Sequence, residues 1–242
     1  MTLRKLGLAV ALAFAAATSS VDIARADPSS SLLVDSLAAQ APALDRSVLA
    51  LALRAASCAE RSGQVRKPSV LTVIDYSLPS TQRRLWVLDL ARRRLLHEEL
   101  VAHGRASGDD VATRFSNEPG SHQSSLGLFV TGDTYLGRHG RSLRLQGLEP
   151  GVNDRAFDRA VVVHAASYVS EGFAARHGRL GRSQGCPALA PGVASRVIDT
   201  IRGGSAIFAY HPQYDWLQAS PFPANCGTST ARRTAAAAGR DS

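Results

Sequence analysis

A cysteine set between a glycine and a proline is poorly placed for burial and well placed for reaction. In Arg182-Ser183-Gln184-Gly185-Cys186-Pro187-Ala188-Leu189 the neighbours are small or polar. Gly185 and Pro187 bend the chain, and the N–H groups of Gly185 and Cys186 can turn towards an oxyanion formed when the thiol attacks a carbonyl. Such a nucleophile needs a base, and His164 lies 22 residues upstream, at the end of the apolar run 160–164. His177, in Arg176-His177-Gly178-Arg179, is the rival base on a solvated loop. Ser183 either braces the cysteine loop and orients the histidine or is a plain turn residue. His103, His122, His139, His164 and Cys186 are zinc-ligand types, but their spacing matches no ligand pattern, so no metal is expected.

These groups need rigid mounts. Helical three- and four-residue steps of Leu44, Val48, Leu51, Ala55 and Cys58 predict helix across 29–63, broken at Pro42, capped by Asp45 and ended by Gly63. From Lys67 the pattern changes to strands, at 70–74, 85–88 and 95–102, with polar turns between them. The stretch 104–153 is rich in Gly, Ser and charge, with short strands at 126–131 and 142–145. A long irregular stretch of this kind is more often a functional surface than filler. The run 160–164 reads as a buried strand, 170–176 as a short helix, 191–201 as a helix stopped by Gly203-Gly204, and 206–210 as a last strand. The fold class is α+β, mainly β.

Residues 1–26 read as an export signal: Arg4 and Lys5, an apolar run too short to span a bilayer, then Ala24-Arg25-Ala26 before Asp27. Its removal lowers the formal charge from +8 to +6, and no span is expected in the mature chain. A basic exported protein suits an anionic polymer such as cell-wall material, while scattered arginines argue against nucleic acid. The organisation expected is 1–26 signal, 27–66 helical segment, 67–216 catalytic domain and 217–242 flexible tail. Three cysteines in an oxidising compartment leave one unpaired whichever bridge forms. Cys58 is either a small buried hydrophobe or bridged to Cys226, with Cys186 free.

His164 followed by Ser183-x-Gly185-Cys186 resembles the signature of the L,D-transpeptidase (YkuD-type) catalytic domains of bacterial cell-wall enzymes. The hairpin from Ile74-Asp75 to Leu88 is similar to the family's early hairpin, and Ser124-Ser125-Leu126-Gly127 stands in the place of its Thr-Pro-x-Gly loop. Thr113-Arg114-Phe115-Ser116-Asn117, Ser142-Leu143-Arg144-Leu145, Gly147 to Asp154 (GLEPGVND) and Gly178 to Ser183 (GRLGRS) resemble phrases of the murein L,D-transpeptidase catalytic domain subgroup. The chain departs from the wider family at Ala165, Gln184 and Ala188, where relatives carry Gly, His and Asn or Arg.

The resemblance implies a YkuD-like β-sandwich or barrel with short helices, preceded by the helical segment, in a periplasmic or secreted, wall-associated protein. It implies that Cys186 attacks the third-residue carbonyl of a peptidoglycan stem peptide and releases D-alanine, with His164 moving the proton and Gly185 and Ser183 completing the catalytic set. An acceptor stem amine then resolves the thioester without any cofactor. His122, Tyr135, Arg144, Tyr168, Arg179 and Arg182 fall in segments expected around the substrate, where arginines suit stem carboxylates. The alternatives are an L,D-carboxypeptidase or other thiol peptidase or amidase on the same substrate, and a non-catalytic peptidoglycan-binding protein.

Overall fold

A computed structural model describes residues 28–222; the proposed signal, Cys226 and most of the expected C-terminal tail lie outside the described residues. Two helices open the chain, α1 (Pro28–Gln40) and α2 (Arg46–Arg61), separated at Pro42 as their sequence predicts. Asp45 caps α2, its Oδ1 accepting from Ser47 N (2.8 Å) and Val48 N (3.1 Å). The face of Val48, Leu49, Ala52, Ala55 and Ala59 is buried in one core with the sheet, so the helical segment is packed onto the strands. Cys58 packs against that core and is disulfide-bonded.

Nine strands follow: β1 (Val70–Asp75), β2 (Leu85–Asp89), β3 (Arg94–Glu99), β4 (Val101–Ala102), β5 (Gly127–Gly137), β6 (Gly140–Gly147), β7 (Val162–Ala165), β8 (Ala188–Leu189) and β9 (Ala206–Tyr210). Three helices lie among and after them, α3 (Glu171–His177), α4 (Pro191–Ile201) and α5 (Tyr214–Ala219). The strand order is β3-β2-β1-β9-β5-β6-β7-β8-β4. Only Leu100 separates β3 from β4, yet these are the two edges of the sheet. The sheet therefore has to curl until its edges meet, which makes a nearly closed barrel, and Trp86, Leu128, Leu143 and Phe208 are fully buried in the core on its two faces.

That closure corrects one sequence expectation. The single strand at 95–102 is two strands, and buried Leu100 marks the corner, packing with Ala102, Val169, Leu180 and Ala188 in a second apolar cluster. The expected strands at 126–131 and 142–145 are arms of one longer hairpin, β5 with β6, turning at Gly137–Gly140. The short β8 has no counterpart in the sequence reading.

The segment between β6 and β7 is fixed from inside. Asn153 donates through Nδ2 to Leu126 O (2.8 Å) and Leu128 O (3.1 Å) and accepts from Glu149 N (2.9 Å). Glu149 Oε1 accepts from Leu128 N (2.5 Å), while its Oε2 is buried without a partner. Burial pushes this carboxyl up to about 7, against the Ser220 hydroxyl and the Leu128 N–H, which favour the ionised form. A raised carboxyl favours the folded state while protonated, so its contribution is complete below the unfolded value and is lost as pH rises through about 7. Glu149→Gln should therefore match the parent near pH 4 and exceed it by about 3 kcal/mol at pH 8. Urea unfolding at the two pH values measures this.

Candidate active site

The cysteine turn depends on a residue with no side chain. Gly185 has φ +119°, and a Cβ there would lie 2.8 Å from Gln123 O. Ser183 bridges the turn, donating from Oγ to Cys186 O (2.6 Å) and accepting from Gly185 N (3.1 Å). From the other side Ser124 Oγ donates to Gly185 O (3.1 Å) and accepts from Gly104 N (3.0 Å). Ser107 Oγ accepts from Ser124 N (2.9 Å), and Ser183 N donates to His103 O (2.9 Å). Behind them buried Arg84 holds Leu78 O, Val101 O and His103 Nδ1. Ser183 is thus a brace, and the expectation of a paired oxyanion donor at Gly185 is corrected: its N–H is occupied by Ser183 Oγ. The Cys186 N–H has no hydrogen-bond partner among the described residues and is the donor left over.

His164 gains its place from strand register. Tyr135 is opposite Ser142, Ser142 opposite His164, and His164 beside Ala188. Residues paired across a sheet share a face, so Tyr135, Ser142, His164 and Ala188 form one surface, and the cysteine turn leads into its β8 end. His164 Nδ1 lies 2.9 Å from Ala165 O. A carbonyl only accepts, so Nδ1 carries the hydrogen and Nε2 keeps a lone pair. Burial holds this imidazole below its usual range, opposed by the Ala165 carbonyl and assisted by His139 and Arg138. The His139 ring, at the tip of the β5–β6 hairpin, stacks on His164 with centroids 4.4 Å apart.

The thiol and the imidazole are not hydrogen-bonded to each other. Cys186 Sγ donates instead to Ala160 O at 3.6 Å, and it is the free cysteine of the described residues. Burial pushes the thiol up, countered by the Val162 N–H, Arg159 and Arg138. Catalytic contacts are often long in ligand-free enzymes and close with substrate.

The other sequence candidates divide. Arg144 lies over the Tyr135 ring at 4.4 Å and the Phe157 ring at 5.6 Å, on the face that carries His164. Tyr168 is half-buried and pushed up to about 12 by burial and by Cys186. Arg179 and Arg182 both close instead on the single carboxylate of Asp109, at 3.2 Å and 2.9 Å, which fixes them and leaves the group with a net positive charge. His122, at φ +55°, contributes its carbonyl to Ala106 N. His177 sits exposed at the end of α3 against Phe173. Sequence reasoning missed Arg159 and Phe157 and weighed His139 only as a zinc-ligand type; none belongs to a local pattern, and only the three-dimensional fold brings them near. Among the described residues no group of three His, Cys, Asp or Glu side chains is arranged to hold a metal.

A family model for the L,D-transpeptidase catalytic domain matches residues 40–210. Similar solved structures include an L,D-transpeptidase from Mycobacterium smegmatis, 16% identical, covering 59% of each chain, with TM-score 0.38. L,D-transpeptidase 3 from Mycobacterium tuberculosis with a faropenem-derived adduct is 13% identical over 59% of this chain and 60% of that one, TM-score 0.37. An L,D-transpeptidase from Xylanimonas cellulosilytica is 14% identical over 64% and 68%, TM-score 0.34. The match thus spans 59% of the length of the first of these. No curated protein matches the chain.

The conformation at Gly185 gives a direct test of the turn. Gly185→Ala should lower stability by about 2–3 kcal/mol, since it meets both an unfavourable φ and the Gln123 carbonyl. The urea midpoint reports the loss.

Proposed function

Because the chain belongs to the L,D-transpeptidase catalytic domain family, we propose that it is a cysteine acyltransferase acting on peptidoglycan stem peptides, with Cys186 as nucleophile and His164 as base. The observation that carries this reading is the Nδ1–H bond from His164 to Ala165 O, on a strand whose partner places Cys186 two residues before Ala188. It supports a neutral imidazole with its Nε2 lone pair free, on the strand beside the one that the cysteine turn leads into.

In the proposed cycle, rotation of Cys186 about χ1 takes the thiol from Ala160 O towards His164, which accepts its proton at Nε2. Sulfur attacks the third-residue carbonyl of the donor stem, and the Cys186 N–H receives the oxyanion. Collapse breaks the C–N bond, and His164 returns the proton to the departing D-alanine amine, leaving a thioester. An acceptor amine then attacks, loses its proton to His164 and releases the thiolate with a new amide bond formed. Arg144, held between Tyr135 and Phe157, is the cation offered to a stem carboxylate, with Tyr168 beside the sulfur. Arg179 and Arg182 are left out of this role because Asp109 holds them.

The reading carries with it export by the 1–26 signal to the compartment where such stems are found. Among the described residues no helix is long and apolar enough to cross a membrane.

Purified tetrapeptide-stem muropeptides incubated with the protein should give cross-linked dimers with loss of D-alanine by mass spectrometry. Tripeptides alone would reassign it as a carboxypeptidase. His164→Ala should lower turnover by about 1000-fold and His177→Ala by no more than about twofold. kcat/KM should rise with pH along a limb centred below 6.5, because His164 acts only when neutral and its titration is moved down.

A further inference from the structure

On the reading that Cys186 is the nucleophile, we propose that Arg159 is a positioning residue for it: its guanidinium ties the 116–125 segment to the Gly185–Cys186 turn and presents an unneutralised positive charge to the sulfur. Arg159 Nη1 donates to Ser116 O (2.6 Å) and Ser125 Oγ (2.6 Å), and Nη2 to Ser121 Oγ (3.1 Å) and Gln123 O (2.7 Å). All four acceptors are neutral. Glu118 acts on Arg159 only through space, being exposed and ion-paired with Arg155 at 2.8 Å, and among the described residues no acid is ion-paired with Arg159. The same guanidinium abuts the turn, since a side chain at Gly185 would come within 3.5 Å of Nη2.

Hydrogen bonds to carbonyls and hydroxyls fix a guanidinium without cancelling its charge. The groups facing the sulfur leave that charge little competition. Tyr76 and Tyr168 are both pushed up to about 12 and stay neutral, and His164 is held below its usual range. Arg138 is the other cation acting on Cys186, but it stands exposed on the hairpin tip, where water screens it. Arg159 is half-buried, and it and Cys186 each favour the charged form of the other. A cation in this setting increases the thiolate fraction of a thiol that burial otherwise keeps protonated. Orientation is the second effect. Gln123 O both receives Arg159 and limits the space at Gly185, so the arginine sets the backbone against which the cysteine turn rests.

The test is the rate of Cys186 alkylation by iodoacetamide against pH, read by peptide mapping, in the parent, Arg159→Gln and Arg159→Lys, with folding checked by circular dichroism. Gln keeps amide donors without charge, and Lys keeps charge without the fork. Arg159→Gln should move the midpoint up by about one unit, an about tenfold slower reaction near pH 7. Arg159→Lys should stay within about twofold of the parent in alkylation while losing turnover. A Gln variant with the parent's midpoint, or a Lys variant shifted as far as Gln, overturns the proposal. If Arg159→Gln does not fold, the Lys variant decides alone, by keeping or losing the parent midpoint. A parent thiol that resists alkylation at every pH, or Cys186→Ala that retains turnover, overturns the nucleophile reading and this proposal with it. An active, alkylated parent with an unshifted Gln variant overturns only the role of Arg159.

Discussion

Two neighbouring strand pairings, β6 antiparallel to β7 and β7 parallel to β8, are the constraint on which the site depends. They align Ser142, His164 and Ala188 in one row, so the histidine stands beside the short strand that the cysteine turn leads into. A slip of one residue in the β6–β7 pairing would turn His164 to the opposite face of the sheet, and one in the β7–β8 pairing would do the same to Ala188. The barrel supports this register from both ends. β4 pairs with β8 from the closing edge, and β5 holds β6 through the long hairpin whose tip brings His139 over His164.

Beneath that surface the cysteine turn is held by polar contacts in a protein interior. Ser107, Ser124 and Ser183 pass hydrogen bonds from Gly104 to Gly185 and Cys186, and Arg84 with His103 supports the strand behind them. Small hydroxyls suit this place because each can donate and accept within a short reach. In a low-dielectric setting the hydrogen bonds of these three serines hold the turn firmly, while His103 Nε2, behind them, is buried without a partner. Burial works against the thiol in the same setting, favouring its neutral form, so a nearby fixed cation has more effect there than on the surface. Burial also holds His164 below its usual range, so the same low-dielectric surroundings favour the neutral form of both the imidazole and the thiol, which suits the role proposed for the first and opposes that proposed for the second.

Much of this was legible in the sequence, for identifiable reasons. Cys186 stands out because glycine and proline flank it, and His164 because it ends a valine run; both signals are local. The helices at 28–61 and the strands around Val73, Val87 and Phe208 announce themselves by period and by caps such as Asp45. What escaped depends on long-range pairing. Two residues of β8 carry no period, and the corner at Leu100 exists because two distant sheet edges meet there. Arg179 and Arg182 read as cations for a substrate, yet Asp109, far earlier in the sequence, holds both of them. Arg159 shows the reverse case: an unremarked loop residue becomes prominent once the 116–125 segment folds around its guanidinium.

The central claim is that Cys186 becomes acylated. The direct measurement is mass spectrometry of the protein quenched in acid during turnover of a tetrapeptide stem, followed by proteolysis and peptide mapping. The account predicts a mass increase equal to the donor less D-alanine on the peptide containing Cys186, removable by hydroxylamine. Turnover with no adduct at Cys186, or with the adduct on another residue, would contradict it.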